Sequence, residues 1–500
     1  MCWHECEDCT LVFYEVLDGG DPKNKAGPDG HRDALFHLTA PYALDAGKDK
    51  VFGTERRISG VSWSADGTAF VTDRWRKSRR TRLWLVDRDP TKPLVKVPKF
   101  DRSYEDRYCS PGGFMTKWTG GRCLVQQTST SAVVLIGVGA NPNGDRPFMD
   151  LMDLDREFTT VRRWRCTPGP TADLNAPEDP AGEVGGVPVP DGKRAGIYET
   201  IVKLMDDNRC IIRRESKTQP PNYLMHFLKS GAEVAITAFQ HPQPQLLGAK
   251  KELITYLRQD GVQLDAELYL PPGYSPGDKP RPCLMWAYPR EFKSKKAANQ
   301  IRASPYRFVR TGWSRPLPWL LRGYVVLEKF AVPIIGEGNA EPNDTYIQQL
   351  CLSAEAAVDE VVRRGVACRD KIAVGGHSYG GFMTAHLVAH TKLFRAGIAR
   401  SGAYNRTLTP FGFQGKHRSS DTLLSHLFPD LSRTSALSRA PLSSRSGVST
   451  LAASICVAAS LPPIAPVPCL VPTAVSLLGT DGCVPCLVPT AVSPLLHQCV

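Results

Sequence analysis

The first part of the chain alternates apolar and polar residues over short runs separated by turn residues. Residues 58–75, ISGVSWSADGTAFVTDRW, give a strand, a Ser-Ala-Asp-Gly turn and a second strand, and residues 81–87 supply a third. Similar groups follow around residues 130–140 and 197–217. We count about three groups, whereas the smallest closed propellers need about four blades. The pattern therefore predicts an all-β, partial β-propeller with little helix over residues 1–245.

From about residue 246 the pattern changes to that of an α/β domain. Asp260-Gly261 joins two alternating strands as a hairpin, and the apolar runs PCLMWAYP and GYVVLEKF suit strands buried in a parallel sheet. Residues 371–400 then give a strand, a tight turn, a helix and a strand. We expect a doubly wound, mostly parallel sheet over residues 246–414. Its first long helix should bury a stripe of apolar residues, namely Ile347, Leu350, Ala354, Ala357, Val358, Val361 and Val362.

The turn within residues 371–400 carries a candidate nucleophile. Ser378 lies in Gly376-His377-Ser378-Tyr379-Gly380, the pattern of a nucleophile elbow between a strand and a helix. Glycines flank the serine because side chains would collide in so sharp a turn. The amide of Tyr379, at the start of the helix, would face a developing oxyanion. His377 is adjacent to the serine and is therefore not expected to be its base.

Longer stretches around this motif resemble a known family. KIAVGGHSYGGFMTAHLVAH, VPIIGEGNAEPND, YPREFKSK and DGVQLDAELYLPPGY are similar to plant members of the prolyl oligopeptidase family of serine peptidases. The resemblance extends over roughly residues 10–414. It implies a β-propeller followed by an α/β-hydrolase domain, location in the chloroplast stroma, and cleavage of peptides or unfolded proteins after glutamate.

The resemblance also assigns residues. Ser378 corresponds to the nucleophile, and Tyr288 to a tyrosine whose hydroxyl assists the oxyanion hole together with the Tyr379 amide. An ordinary buried tyrosine is the alternative for Tyr288. A cation must pair with a substrate glutamate, and Arg290, Lys293 and Lys295 are conveniently placed for this role, although the sequence does not decide between them.

The last stretch, residues 415–500, departs from the family. It is rich in Ser, then in Pro, and it repeats PCLVPTAVS, so we expect a disordered low-complexity tail. In the family the triad aspartate and histidine follow the serine on loops after further strands, and no such segment is recognisable here. Both triad partners therefore stay unassigned; the six candidates after Gln414 are Asp421, Asp430, Asp481, His417, His426 and His497. We expect this chain to have little activity and its hydrolase sheet to end in an unpaired edge at AGIARSG.

The composition of the chain argues against a nucleic acid or a membrane as its partner. The formal charge is +12, from 62 Lys and Arg against 50 Asp and Glu, but the excess is scattered, so we expect no nucleic-acid partner. The basic run from Arg74 to Arg82 is expected to be a hairpin between two strands. Prolines interrupt the apolar run of the tail before it reaches the roughly 20 residues of a membrane span. We therefore expect no membrane anchor.

Cysteine usage predicts neither a disulfide framework nor a metal site. The 15 cysteines lack the spacing of a secreted framework. Cys2, Cys6 and Cys9 with His4 have no second ligand group at zinc-finger spacing, and Cys483 and Cys486 lack a surrounding βαβ pattern. We expect no cofactor.

The opening residues have no transit-peptide character, which makes the cytoplasm the alternative location. The sequence does not predict an oligomeric state.

Two other functions stay open on the sequence alone. A carboxylesterase would share the serine motif, but esterases do not usually carry a propeller. A non-catalytic fragment or propeller-type binding module is favoured by the missing triad segments, because loss of triad members leaves only a remnant of catalysis.

Overall fold

The computed structural model describes residues 2–27, 29–42, 48–87, 92, 94–166, 196–312, 315–402 and 404, together with the backbone of residues 454–457. It is a partial β-propeller followed by an α/β-hydrolase sheet, as the sequence predicts. No helix in the described parts of the chain is long and apolar enough to cross a membrane.

The propeller part forms four sheets of mainly antiparallel strands, one more than the sequence pattern indicated. Their orders are β1-β2-β3-β4, β11-β12-β5-β6-β7-β8 with β9 beside β7, β10-β13-β14-β15, and β16-β17-β18-β19. Within described residues 10–240 the helical content is one 3₁₀ turn, Pro98–Phe100. The strands are β1 (Cys2–Trp3), β2 (Thr10–Val16), β3 (Asp33–Thr39), β4 (Lys48–Thr54), β5 (Arg57–Trp63), β6 (Ala69–Trp75), β7 (Arg80–Val86), β8 (Val95–Lys96), β9 (Arg102–Ser103), β10 (Gly113–Phe114), β11 (Thr116–Thr119), β12 (Arg122–Val125), β13 (Val133–Gly137), β14 (Phe148–Met152), β15 (Thr160–Arg165), β16 (Ile197–Leu204), β17 (Arg209–Ser216), β18 (Asn222–Phe227) and β19 (Glu233–Ala235).

The basic run from Arg74 to Arg82 is a hairpin, as expected. It joins β6 to β7 with Arg74 opposite Thr81. Arg82 forms an ion pair with the buried Asp73 at 2.8 Å, so part of the basic charge is neutralised within the sheet.

The hydrolase part is a seven-stranded sheet in the order β20-β21-β24-β22-β26-β27-β28. Strands β24, β22, β26 and β27 are parallel, and β20 and β21 form the antiparallel hairpin predicted at Asp260-Gly261. The strands are β20 (Lys250–Leu257), β21 (Gln263–Leu270), β22 (Arg281–Trp286), β23 (Arg290–Phe292), β24 (Val325–Glu328), β25 (Pro333–Ile335), β26 (Ala367–His377), β27 (Ala396–Arg400) and β28 (Ser454–Val457). The helices are α1 (Lys295–Ala298), α2 (Tyr346–Arg363) and α3 (Tyr379–His390), with 3₁₀ turns at Pro244–Leu246, Leu317–Arg322 and Pro342–Thr345.

Helix α2 buries the apolar stripe predicted from its sequence. Leu350, Ala354 and Val361 are 0% exposed because residues at this spacing share one helix face. Ile347, in contrast, is 37% exposed. The buried face of the first turn consists of Tyr346, Gln349 and Leu350 instead, so Ile347 lies outside the stripe.

The edge of the sheet corrects one expectation. Strand β27 is not left unpaired, because β28 lies antiparallel to it, from Gly397 opposite Val457 to Arg400 opposite Ser454. Ser-Ile-Cys-Val is a short segment of β-forming residues, and its backbone supplies the donors and acceptors that an edge strand requires. The low-complexity composition of the surrounding tail concealed this strand in the sequence.

Candidate active site

Ser378 lies at the turn between β26 and α3, where the sequence predicts the nucleophile elbow. Its φ of 57° and ψ of −115° are a conformation that a residue with a side chain rarely adopts. Such strain persists only where the surroundings impose it. The Ser378 amide donates to the Arg400 carbonyl at 2.8 Å, which ties the turn to β27. The serine is exposed at the carboxyl end of the sheet.

The flanking glycines are required by close backbone contacts. A Cβ atom at Gly380 would overlap the carbonyl oxygen of Ala287, and one at Gly376 would lie 2.5 Å from the carbonyl carbon of Gly380. A Cβ atom at Gly381 would lie 2.7 Å from the Arg400 carbonyl oxygen. Three neighbouring glycines thus allow β26, β27 and the segment after β22 to converge on Ser378.

That convergence brings Tyr288 to the elbow. Tyr288 follows Ala287, and its ring meets the ring of Tyr379 edge to face, with centroids 5.9 Å apart at 71°. The residue is 51% exposed, so it is not an ordinary buried tyrosine. The Tyr379 amide belongs to the first turn of α3, where unpaired amides favour negative charge. Both tyrosines therefore lie next to the turn that carries Ser378.

The described residues provide no base for Ser378. Within these ranges its hydroxyl forms no hydrogen bond with a histidine, and His377 is exposed at the end of β26. His386 lies on α3, stacked edge to face on Phe382 with centroids 4.4 Å apart. Burial, with the charge of His390, lowers the pKa of His386. The six candidates for the triad partners (Asp421, Asp430, Asp481, His417, His426 and His497) all lie outside the described residues.

A polar chain connects the propeller to the elbow, and sequence reasoning missed it. The Tyr379 hydroxyl donates to the Asn343 side-chain oxygen at 3.4 Å, and the Asn343 amide donates to Glu291 at 3.2 Å. Glu291 in turn lies 3.6 Å from Arg79 and 3.8 Å from Arg76, both in the β6–β7 hairpin. The partners are far apart in sequence, and no local pattern marks such contacts.

Of the three cations considered for a substrate glutamate, two have internal partners. Lys293 donates to the Ala340 carbonyl and pairs with Glu341 at 3.4 Å. The Lys295 ammonium donates to the Asp260 carbonyl at 2.8 Å. Arg290 is exposed; its guanidinium makes no hydrogen bond or ion pair with the described residues.

One group of side chains has the composition of a metal site, far along the chain from Ser378. Ligand atoms of His4, Glu7 and His37 lie within 4.8 Å of one another. However, Nδ1 of His4 accepts the amides of Cys6 and Glu7 at 3.0 and 2.9 Å. Its remaining nitrogen therefore carries the proton in the neutral ring, which disfavours coordination. The Cys6 thiol donates to the Ser64 carbonyl.

Comparison with known proteins identifies the region of the elbow. Residues 353–412, which include the last part of α2, Ser378 and α3, match the prolyl oligopeptidase family model, Peptidase_S9. The segment that carries Ser378 belongs to the prolyl oligopeptidase family.

Two relatives extend this family likeness to most of the chain. The chain is 42% identical over 433 residues to the probable chloroplastic glutamyl endopeptidase of Oryza sativa subsp. japonica, and 42% identical over 434 residues to the protein of that name from Arabidopsis thaliana. Each alignment covers 83% of this chain but only 43% and 42% of the relatives, respectively. The chain thus spans less than half the length of these family members.

Solved structures of the family resemble the chain more distantly. Oligopeptidase B from Leishmania major is 12% identical, with a TM-score of 0.45, over 79% of this chain and 54% of its own. A likeness of this size adds no argument about function.

Proposed function

We propose that this chain is the nucleophile-bearing part of a serine endopeptidase that cleaves peptides on the carboxyl side of glutamate. The observation that carries the proposal is the strained and exposed position of Ser378 between β26 and α3. The names of the two plant relatives support glutamate as the residue before the scissile bond.

In the proposed reaction the Ser378 oxygen attacks the peptide carbonyl while a base removes the hydroxyl proton. The carbonyl oxygen becomes an oxyanion that the Tyr379 amide and the Tyr288 hydroxyl stabilise by donating hydrogen bonds. The proton then passes to the leaving amine, and the peptide carbon–nitrogen bond breaks to give an acyl-serine. Water attacks the acyl-serine in the same manner, which releases the acid and restores the serine.

The residue that removes the proton from Ser378 is not assigned in this proposal. A histidine would have to come from residues outside the described ranges, and base catalysis of this kind contributes about 10²–10⁴-fold. The absence of a histidine beside Ser378 within those ranges favours a second candidate function, a non-catalytic fragment of the same lineage. We therefore expect the purified chain to hydrolyse glutamyl peptides slowly or not at all.

The test compares the chain with its Ser378→Ala variant. A fluorophosphonate probe should label Ser378 weakly but above the level of the variant, because the elbow exposes the hydroxyl even without a base. A glutamyl peptide is assayed in parallel. Substantial turnover that Ser378→Ala removes would show that a histidine reaches the serine and would exclude the non-catalytic candidate. Labelling no greater than that of the variant would overturn the assignment of the nucleophile.

We further propose that the protein resides in the chloroplast, since both plant relatives are named chloroplastic. The comparisons lend no support to the cytoplasmic alternative. Fractionation of cells that express the full-length gene product, with immunodetection in stromal and cytosolic fractions, tests the location.

A further inference from the structure

Arg302 is a partly buried cation whose guanidinium forms no salt bridge with any residue that the structure describes. Its Nε atom is buried and has no hydrogen-bond partner among the described residues, and its guanidinium lies over the Phe292 ring at 4.9 Å. Asp265 and Glu105 lie within electrostatic reach, but neither pairs with it; Glu105 instead pairs with Arg79 at 3.0 Å. A partly buried guanidinium is costly unless it is hydrogen-bonded to an anion, and neither carboxylate is bonded to this one, so its donors are available to an anion supplied by a ligand.

Arg290 belongs to the same cluster. Arg290 and Phe292 are two residues apart on β23, so their side chains leave the strand on the same face, the face over which Arg302 stacks. Burial and the charges of Arg107 and Arg290 lower the pKa of Arg302 to about 10. Arg107 is neutralised by Asp145 at 3.2 Å. Arg290 and Arg302 thus lie together without a salt bridge to a described carboxylate, although Asp265 and Glu105 partly offset the charge of Arg302.

The cluster lies near the candidate nucleophile. Arg290 is two residues after Tyr288, at most about 7 Å of chain, and the Tyr288 ring contacts Tyr379 beside Ser378. The side chain of a peptide bound at Ser378 is therefore expected to extend toward Arg290, and Arg302 belongs to the same cluster through Phe292.

The propeller fixes Arg302 in place. Just before it, the Gln300 side chain accepts the Arg107 amide at 2.7 Å and donates to Asp106 at 2.7 Å. The Ile301 amide donates to the Tyr108 hydroxyl at 3.0 Å. Docking of this propeller loop therefore orders the segment that carries Arg302, which reduces the entropy lost when a ligand binds.

We propose that Arg290 and Arg302 form the carboxylate-binding subsite that selects an acidic side chain in the peptide substrate. Two guanidinium groups can bind one carboxylate through paired, charge-assisted hydrogen bonds. A neutral glutamine amide does not form such bonds with both groups. This inference rests on the proposed function, because it places a peptide at Ser378, but it concerns binding rather than the chemical step.

The test measures binding without catalysis. In the full chain carrying Ser378→Ala, fluorescence anisotropy compares a labelled peptide that contains one glutamate with the same peptide containing glutamine. The glutamate peptide should bind about tenfold more tightly or better, and added salt should reduce the difference. Arg290→Gln and Arg302→Gln should each weaken this preference and together abolish it, without changing the affinity of the glutamine peptide. Arg302→Lys should retain part of the preference.

Lys295→Gln is the matched control, since it removes a neighbouring charge that already has an internal partner; it should leave the preference intact. Equal affinity for the two peptides, absence of binding by both, or a preference that survives the double substitution would each overturn the inference. A loss with Lys295→Gln as large as that with Arg302→Gln would also overturn it, since general charge would then explain the effect. Because Ser378 is absent from this assay, failure of the nucleophile assignment would leave these results unaffected.

Discussion

The hydrolase sheet and the propeller sheets bury their apolar residues in different ways. One large cluster runs through the hydrolase part, from Ile254 on β20 through α2 and the parallel strands to Leu387 on α3. The propeller part divides its buried residues among separate clusters, one of which consists of Phe13, Ala34, Phe36 and Leu38 within β2 and β3. Elements that share one core unfold together, whereas sheets that contact only their neighbours can open singly.

This difference matters for the candidate site. Ser378 is held by the shared hydrolase core, while Arg302 depends on contacts with a propeller loop. Changes in the hydrolase part should therefore displace the nucleophile. Changes in the propeller should affect substrate recognition before they affect the elbow.

Gly380→Ala should have the largest effect, and it tests whether the hydrolase core holds Ser378 rigidly. The new Cβ would overlap the backbone of Ala287, and backbone cannot move aside without shifting β22. We expect a loss of at least about 4 kcal/mol in the free energy of unfolding and loss of fluorophosphonate labelling. Urea unfolding followed by circular dichroism measures the first effect.

Gly60→Ala is the control in the propeller part. A Cβ at Gly60 on β5 has no neighbour within 4 Å, so its effect should be within about 0.5 kcal/mol. If both alanine variants unfold at the same urea concentration, the elbow is not constrained as the contacts around Gly380 indicate.

A matched pair of leucine truncations tests whether the two cores differ in cooperativity. Leu350 on α2 is 0% exposed and Leu38 on β3 is 2% exposed, so the chemical change is the same in both. Each Leu→Ala substitution should cost about 2–5 kcal/mol. Leu350→Ala should accelerate amide exchange throughout the hydrolase sheet, whereas Leu38→Ala should accelerate it only in β1 to β4.

Hydrogen exchange read by mass spectrometry distinguishes these outcomes peptide by peptide. Faster exchange in β26 and β27 of the Leu38→Ala variant would mean that the propeller and the hydrolase part unfold as one unit, and the contrast between the two cores would be wrong.

The sequence predicts those features that neighbouring residues determine. The glycines around Ser378, the Asp260-Gly261 hairpin and the apolar stripe of α2 are all local patterns, and the structure contains each of them. Strand β28 was missed because a four-residue strand in low-complexity sequence carries little periodicity. The sheet β1–β4 was missed although β2, β3 and β4 have seven residues each, because consecutive apolar residues in β2 and β3 obscure the alternation of a strand. Nothing in the sequence indicated that the Arg302 guanidinium forms no salt bridge with the described residues, because such a feature becomes evident only when distant segments are brought together.

The smallest expected effect is a difference in the sign of pH dependence between the two parts. Burial raises the pKa of Asp265 on β21 from 3.8 to about 6. Since the folded state holds this proton more tightly than the unfolded state, stability falls as pH rises from 3.8 to about 6. Asp18, before β3, has the opposite shift: burial opposes ionisation, but hydrogen bonds from Arg57 and Arg32 outweigh it and lower the pKa. Its contribution to stability is complete above pH 3.8 and is lost as pH falls through the lowered value.

Asp265→Asn should therefore stabilise the hydrolase part above about pH 6 by up to about 3 kcal/mol, and the gain should shrink as pH falls toward 3.8. Asp18→Asn should destabilise the β1–β4 sheet at neutral pH, and that loss should shrink only below pH 3.8. Hydrogen exchange of both variants between about pH 5 and pH 8, corrected for the intrinsic exchange rate, resolves the two regions separately. Over this range the free-energy gain from Asp265→Asn should roughly double from pH 5 to pH 8. The free-energy loss from Asp18→Asn should stay constant because the Asp18 carboxylate is ionised in both the folded and the unfolded state. A gain from Asp265→Asn that does not vary with pH would mean that repacking, rather than the buried charge, accounts for it.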